Sequence, residues 1–286
     1  MSVETISDPR QMQQRMLAAR REGQRIAFVP TMGYLHEGHL SLLREGRKRG
    51  DLLVLSIFVN PTQFGPSEDL DSYPRDLERD TQLATEAMVD VVYLPDNASM
   101  YPPGYGTWVE VDQSLTNTLC GRSRPGHFRG VTTVVAKLFQ IVQPDVALFG
   151  SKDFQQLAVL RRMSEDLNFP IEIVGMPIVR EADGLAMSSR NVYLDAEQRQ
   201  RALSLHKGLQ LARKLVAEGE SGCRVLIEKV RELITQAAGA EIDYIQVCHE
   251  QTLADMVEVD RHAVMLLAVR FGKTRLIDNH HLMEEN

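Results

Sequence analysis

The sequence predicts an α/β protein: a Rossmann-like, doubly wound parallel sheet followed by a smaller α+β domain. Residues 52–59 are almost continuously apolar, a pattern typical of a strand that is covered on both faces. Strand-like and helical patterns alternate up to about residue 180, which favours parallel strands joined by helices. Two helical stretches and three strand-like runs follow. We therefore predict one domain over residues 1–182 and a second over residues 183–286.

The individual elements follow from local signals. A capping residue and a proline, Asp8 and Pro9, predict a helix that ends near Arg21. The other predicted helices are 40–48, 76–89, 132–142, 153–167, 196–217 and 221–237. The predicted strands are 25–29, 52–59, 91–94, 146–149, 171–174, 244–247, 263–269 and 274–277. His280 and His281 are interpreted as part of a disordered tail.

Composition limits the classes of function. Of the 286 residues, 43% are hydrophobic and 25% are charged, which is typical of a globular protein. The net charge of -7 argues against nucleic-acid binding through bulk charge. The sequence has no apolar run of the roughly 18 residues that would predict a membrane span and no secretory pattern at its start. We therefore predict a cytoplasmic protein without a membrane or nucleic-acid partner. The three cysteines are interpreted as buried thiols.

The most informative segment, residues 29–39, lies between a predicted strand and a predicted helix. His36 and His39 stand three residues apart, as do residues that share a helix face. Two imidazoles at a helix N-terminus favour the binding of an anion, and a phosphate chain is the predicted ligand. Gly33 and Gly38 are expected to allow positive φ and close approach of a ligand. A zinc site is excluded, because its motif has two residues between Glu and the second His, whereas here there is one. Two ordinary loop histidines remain the alternative.

Other polar loops are expected at the same place. Loops that follow parallel strands lie at one edge of the sheet, where ligands bind. Residues 31–39, 60–65 and 150–153 each follow a predicted strand. In the last of these, Lys152 can contact a phosphate and Asp153 can accept ribose hydroxyls, although a solvated surface ion pair is an equally weighted alternative.

A later loop, residues 184–191, places Ser188 and Ser189 beside Arg190. A guanidinium group offers forked donors that suit phosphate oxygens. Taken alone, this loop would more simply cap the following helix, so its interpretation depends on the other segments.

Together these segments resemble the nucleotidyltransferases that share His-x-Gly-His and Lys-Met-Ser-Lys-Ser motifs with class I aminoacyl-tRNA synthetases. Residues 36–39 match the first motif, and residues 187–190 are similar to a shortened second one. The order and spacing of five segments further resemble the pantoate–β-alanine ligase family: residues 30–33, 58–64, 124–128, 149–156 and 187–191. The resemblance spans nearly the whole chain. Ser151 departs from the acidic or amide residue expected at that position.

The resemblance implies condensation of pantoate with β-alanine through a pantoyl adenylate, with ATP and Mg²⁺, by a homodimer. The implied catalytic residues are His36, His39, Lys152 and Arg190, with His36 as the candidate proton donor. The implied ATP-binding residues are Met32, Gly33, His36, Gly38, His39, Gly150, Ser151, Lys152, Asp153, Val179, Met187, Ser188, Ser189 and Arg190. The implied pantoate-binding residues are Pro30, Gln63, Arg124, Val131, Val134, Val135 and Gln156. Metal ligands are not assigned.

The residue types suit this chemistry. Neutral amides such as Gln63 and Gln156 hold a carboxylate without the cation that would lower its nucleophilicity. The second domain is expected to close over ATP and to exclude water from the adenylate. Three other functions stay open: adenylyl transfer to a phosphorylated substrate, tRNA binding, and nucleotide sensing without catalysis. The first would need extra cations where residues 60–65 offer amides, and the acidic balance argues against the second.

Overall fold

The structure, a computed structural model, describes residues 3–66 and 68–283. Within them the chain divides into two compact units. The first contains Met1–Val111, Arg124–Ser151 and Val159–Pro177, and the second contains Asp112–Ser123, Lys152–Ala158 and Ile178–Asn286. The domain boundary predicted at residue 182 stays a prediction.

The first unit is built on a parallel sheet. In chain order its strands are β1 (Glu4–Ile6), β2 (Ile26–Thr31), β3 (Leu52–Ile57), β4 (Val91–Tyr93), β5 (Val146–Gly150) and β6 (Glu172–Met176). Their spatial order is β1-β4-β3-β2-β5-β6, and each neighbouring pair is parallel. Strand β4 is buried throughout and β3 nearly so, as the continuous apolar runs predicted. The prediction of a doubly wound parallel sheet is confirmed.

Helices connect the strands and continue beyond the sheet. They are α1 (Pro9–Arg21), α2 (Glu37–Arg49), α3 (Leu77–Glu86), α4 (Asn97–Met100), α5 (Gln113–Thr116), α6 (Leu119–Ser123), α7 (His127–Val142), α8 (Phe154–Asp166), α9 (Ala196–Ala217) and α10 (Cys223–Thr235). Helix α1 begins as predicted, because Asp8 accepts the Gln11 N–H at 2.8 Å. Helix α7 begins earlier than the predicted residue 132, because Gly126 (φ +82°) turns the chain into the helix. Across the described residues, we find no helix with the length and apolar character that a membrane crossing requires.

The direction of strand addition reverses between β2 and β5. From β2 the chain proceeds outward through β3 and β4, and it then returns to β5 and proceeds through β6. Strands β2 and β5 are direct neighbours, with Phe28 opposite Ala147. Thr31 and Gly150, the last residues of these two strands, therefore lie at one edge of the sheet. In open α/β sheets, ligands bind outside the carboxyl ends of the strands at such a reversal.

The second unit contains an antiparallel sheet and two long helices. Its strands β7 (Ala240–His249), β8 (Ala263–Phe271) and β9 (Thr274–His281) pair in the order β7-β8-β9. Helices α9 and α10 bury Leu209 and Val230 in one apolar cluster with Leu267 of the sheet. This arrangement confirms the α+β prediction for the C-terminal part.

Two further expectations concern the second unit. The expected disordered tail at His280 and His281 was wrong, because both residues pair with β8 and complete strand β9. Their backbone hydrogen bonds to β8 fix them although their side chains carry no apolar pattern. Cys120, Cys223 and Cys248 are buried and unpaired by disulfides, which confirms that they are buried thiols.

Candidate active site

Residues 32–39 connect β2 to α2 and carry the two histidines. Helix α2 begins at Glu37, so that His36 is its N-cap residue and not part of it. Nδ1 of His36 accepts the Gly38 N–H at 3.1 Å. Nδ1 of His39 accepts the backbone N–H of His36 at 3.2 Å, and the two ring centroids are 4.0 Å apart. The histidines therefore meet through a reciprocal cap, and not through the shared helix face that the sequence predicted.

The turn before the histidines has a left-handed backbone. Gly33 has φ +82° and Tyr34 has φ +52°. A Cβ atom on Gly33 would lie 2.9 Å from Oδ2 of Asp80 and 2.9 Å from Cγ2 of Ile57, so that a larger residue would displace the turn. Gly38, the other glycine that could have adopted positive φ, instead lies in the first turn of α2.

Asp80 of α3, which is not among the predicted site residues, fixes this turn. Its carboxylate is 1% exposed and accepts the backbone N–H groups of Tyr34 and Leu35, each at 2.7 Å. Arg79 donates to the Leu35 carbonyl at 3.0 Å. Burial raises the pKa of Asp80, and the two backbone N–H groups oppose that rise. The sequence signal is an aspartate four residues before Ala84, on the inward face of an amphipathic helix.

The side-chain amide of Gln63 is oriented by its neighbours. Gln63 lies in a turn of 3₁₀ helix, Pro61–Gln63, shortly after β3. Its Oε1 accepts Nδ2 of Asn60 at 3.0 Å, and its Nε2 lies 3.4 Å from Sδ of Met32. Asn60 is 1% exposed and also donates to the Gly130 carbonyl at 3.2 Å. The bond from Asn60 to Oε1 fixes the orientation of the amide, so that the Nε2 donor is directed toward Met32.

Arg124 bonds to protein groups around the same turn. Its Nε and Nη2 lie 2.6 and 2.7 Å from the two carboxylate oxygens of Glu68. Its Nη2 is also 3.4 Å from the Gln63 carbonyl, to which Nδ1 of His127 lies within 2.9 Å. Burial opposes ionisation of Glu68, but the bonds from Arg124 outweigh it and lower the pKa of Glu68. Arg124 is thus placed beside Gln63 and holds its backbone.

The apolar residues expected to contact pantoate lie on α7. Val131, Val134 and Val135 are 2%, 5% and 5% exposed. Their spacing places them on one face of the helix, and α7 packs against the turn that carries Gln63. Pro30 is half-buried near the end of β2. The first unit therefore brings together the histidines, Gln63, Arg124 and this valine face.

The segment after β5 contributes residues to both units. Gly150 pairs with Met176 at the end of β5, and Ser151 still belongs to the first unit. Lys152 and Asp153 belong to the second unit. Residues 151–153 form a turn of 3₁₀ helix, so that α8 begins one residue later than predicted. Lys152 is half-buried and Asp153 is exposed.

The two adjacent glutamines that follow have different roles. Gln155 is 4% exposed, and its side chain bonds to the backbone of Leu115, Thr118 and Cys120 at 2.8 to 2.9 Å. Gln155 is therefore structural. Gln156, the predicted pantoate ligand, is half-buried and occupies the next position of α8.

The loop after residue 186 is fixed within the second unit. The Met187 N–H donates to the Val179 carbonyl at 3.0 Å. Oγ of Ser188 accepts the Arg190 N–H at 3.3 Å and caps the 3₁₀ turn Ser189–Tyr193. The alternative for this loop was a cap on the helix predicted at 196–217, but that helix, α9, is capped by Asp195, and Ser188 caps only the 3₁₀ turn of its own loop. Five predicted ATP-binding residues are thus close together in this unit.

In residues 3–66 and 68–283, no group of three or more His, Cys, Asp or Glu side chains is arranged to hold a metal ion. Mg²⁺ that enters with a nucleotide binds mainly phosphate oxygens and water, with one or two carboxylates at most. The expected Mg²⁺ stays a prediction.

Comparison with known proteins identifies the family. The sequence profile described as "Pantoate-beta-alanine ligase" matches residues 4–281. The chain belongs to the pantoate–β-alanine ligase family. Among its relatives, pantothenate synthetase from Syntrophotalea carbinolica is 64% identical over 283 residues, which cover 99% of this chain and 100% of that protein. Pantothenate synthetase from Desulfatibacillum aliphaticivorans is 58% identical over 277 residues, covering 97% and 98%.

Solved structures of pantoate–β-alanine ligases share the fold. Pantothenate synthetase from Thermus thermophilus is 45% identical with a TM-score of 0.94, covering 99% of this chain and 100% of that one. The ligase from Francisella tularensis, described as complexed with "Beta-gamma ATP and Beta-alanine", is 32% identical with a TM-score of 0.80, covering 98% of each chain. The predicted family resemblance and the ligase class are confirmed. The role of each site residue stays a prediction.

Proposed function

We propose that this chain joins pantoate to β-alanine in two steps: ATP first converts pantoate to an adenylate and releases pyrophosphate, and β-alanine then displaces AMP. The observation that carries the proposal is the pair of imidazoles capping α2 at the sheet reversal, in a member of the pantoate–β-alanine ligase family. The Francisella ligase, described with an ATP ligand and β-alanine, supports these two molecules as substrates.

In the first step, a carboxylate oxygen of pantoate attacks the α-phosphorus of ATP, and the bond from that phosphorus to the pyrophosphate oxygen breaks. Negative charge moves onto pyrophosphate as it leaves. Fixed cations and N–H donors stabilise that charge, and one such donor is worth about 3 kcal/mol. We assign this task to His36, His39, Lys152 and Arg190.

The capping hydrogen bonds determine which nitrogen of each imidazole carries the proton. Because Nδ1 of His36 and Nδ1 of His39 both accept a backbone N–H, each neutral ring carries its proton on Nε2. Two Nε2–H groups are then donors toward phosphate oxygens. His36 is the proposed proton donor to the leaving pyrophosphate.

The remaining ATP contacts are assigned as the family resemblance implies. Backbone and side chains around residues 32–39 and 150–153 hold the phosphates and the ribose, with Asp153 on the ribose hydroxyls. Val179 and the 187–190 loop complete the nucleotide site. Mg²⁺ accompanies ATP and neutralises phosphate charge.

Pantoate is assigned to the first unit and to Gln156. The Nε2 of Gln63 donates to pantoate, since its Oε1 is held by Asn60. The valine face of α7 contacts the dimethyl group of pantoate. Arg124 serves this pocket through its contact with the Gln63 backbone.

In the second step, the neutral amine of β-alanine attacks the acyl carbon, and the bond from that carbon to the AMP oxygen breaks. Positioning of the two reactants contributes roughly 7–11 kcal/mol in such reactions. We further propose that the domain from residue 183 onward acts as a lid that keeps water from the adenylate, and that the enzyme is a homodimer.

Oxygen-18 in the pantoate carboxylate tests the adenylate route. The carboxylate oxygen that attacks phosphorus leaves with AMP, so that AMP should carry one labelled oxygen per turnover. Unlabelled AMP together with pantothenate formation would reject the adenylate. A second arm omits β-alanine: ATP and pantoate alone should support exchange of labelled pyrophosphate into ATP, whereas exchange that requires β-alanine would contradict the order of steps.

A further inference from the structure

Two adjacent polar residues of strand β9, Asp278 and Asn279, are buried inside the second unit. They are 3% and 5% exposed. Buried polar side chains persist only when they find hydrogen-bond partners. Side chains of consecutive strand residues point to opposite faces of a sheet. The two residues therefore reach different segments of the chain.

Asn279 reaches the segment that carries Lys152. Its Nδ2 donates to the Lys152 carbonyl at 3.0 Å. The ring of Phe154, two residues further along, packs edge-on against the ring of His281, with centroids 5.8 Å apart. Asn279 and His281 of β9 therefore contact the 3₁₀ turn and the first residue of α8, respectively. The backbone of Lys152 is fixed by this strand.

Asp278 reaches the hairpin that carries Val179 and Met187. Its Oδ2 and Oδ1 lie 2.7 and 2.9 Å from Nη1 and Nη2 of Arg180, a bidentate pair. Nη1 of Arg180 also donates to the Gly184 carbonyl at 3.1 Å. Arg180 is bridged through its backbone to Ala186, immediately before Met187. The base of the 187–190 loop is thus tied to the strand through one guanidinium.

We propose that Asp278 and Asn279 are positioning residues for the nucleotide: β9 sets the distance between Lys152 and the 187–190 loop. The inference rests on the proposed function, because it takes Lys152 and that loop as phosphate-binding groups. Asp278 and Asn279 are consecutive residues of one strand, so that the strand geometry fixes the distance between them. Lys152 and the 187–190 loop, which are far apart in the sequence, are thereby attached to the same strand.

A purely structural role for the pair predicts a different outcome from a positioning role. Breaking the buried Asp278–Arg180 pair leaves an uncompensated charge and lowers stability in either case. Asn279 is the better probe, because its side chain is neutral and its Nδ2 donates directly to the Lys152 carbonyl. Asn279→Leu keeps a side chain of similar size and removes the donor. Thr274→Val is the matched control, since Thr274 lies on the same strand and is 5% exposed.

The first experiment is a double-mutant cycle on kcat/KM for ATP. Asn279→Leu should lower this ratio about tenfold in the parent enzyme and leave KM for β-alanine unchanged. In a Lys152→Ala background the same substitution should have almost no further effect, because the group it positions is gone. Thr274→Val should change the ratio less than twofold in both backgrounds. Equal losses in both backgrounds would overturn the proposal.

The second experiment measures binding of a non-hydrolysable ATP analogue by calorimetry, alongside thermal unfolding. Asn279→Leu should weaken analogue binding severalfold even when its Tm stays within a few degrees of the parent enzyme. Unchanged analogue binding would overturn the inference. The parent enzyme in the same assays tests the proposed function separately: if it bound the analogue but made no pantothenate, the proposed function would fail and the positioning result would stand.

Discussion

Replacing Asp80 tests whether a buried carboxylate holds the turn before the two histidines. Asp80→Ala removes two charge-assisted hydrogen bonds of 2.7 Å from the Tyr34 and Leu35 N–H groups. At about 1.5–3 kcal/mol each, the loss is about 3–6 kcal/mol of unfolding free energy. Burial of the Asp80 carboxylate, which raises its pKa, is itself unfavourable. The expected loss of unfolding free energy therefore lies toward the lower end of this range. Asp80→Asn keeps one acceptor and should lose about half as much.

Urea unfolding and initial rates at varied ATP concentration measure both effects. The loosened turn should raise KM for ATP in both Asp80 variants, because His36 directly follows the anchored N–H groups. Asp76→Ala is the matched control on the same helix: it removes an exposed cap at 3.1 Å from the Arg79 N–H and should cost about 1 kcal/mol. The reasoning is refuted if Asp80→Asn matches the parent enzyme in both measurements, or if the Asp76 variant shows the same rise in KM.

Two further predictions concern the turn that carries Gln63. Gly130→Ala should cost about 1–3 kcal/mol and raise KM for pantoate, because its Cβ would clash with the carbonyl oxygen of Thr62 in that turn. Gly106→Ala, with its nearest contact at 3.9 Å, is the control, and initial rates at varied pantoate concentration measure the difference between the two variants. Glu68→Gln should make the free energy of unfolding depend less on pH in the acid range. The pKa of Glu68 is lowered because the Arg124 bonds outweigh burial, so its stabilisation is complete above the unfolded value of 4.5 and is lost as pH falls through the folded pKa. Unfolding midpoints of parent and variant should differ at neutral pH and converge in acid, and a gap independent of pH would contradict this account.

The sheet and its ligand edge were predictable because their signals are local. The apolar run of β3 (Leu52–Ile57) and the strand-turn-helix pattern around His36 are each contained in a few consecutive residues. Asp80 lies on the inward face of an amphipathic helix, but neither it nor Glu68 has a local pattern that identifies the partner it binds. Asp80 and Glu68 each bind a segment that is distant in the sequence. The groups that Asp80 binds are backbone N–H groups, which every residue except proline has. Such contacts follow from the fold and are invisible to residue patterns.

Other differences have equally specific causes. Capping boxes usually pair Ser or Thr with Glu or Gln, so that two histidines in those positions did not mark the true start of α2 at Glu37. Strand β1 (Glu4–Ile6) is too short to show a period, and only its pairing with β4 defines it. His281 follows a run of polar residues, and its place in β9 depends on its pairing with Val264.

The reciprocal cap gives His36 and His39 a structural role in addition to the catalytic role proposed for them. An alanine at either position would erase a nitrogen acceptor that the local backbone relies on, so that a drop in turnover would report a deformed entrance together with a missing imidazole. Asparagine is among the residues that cap helices best, and His36→Asn therefore keeps the entrance while deleting the ring. A loss of turnover in His36→Asn would therefore report the missing imidazole alone, without the loss of the capping hydrogen bond.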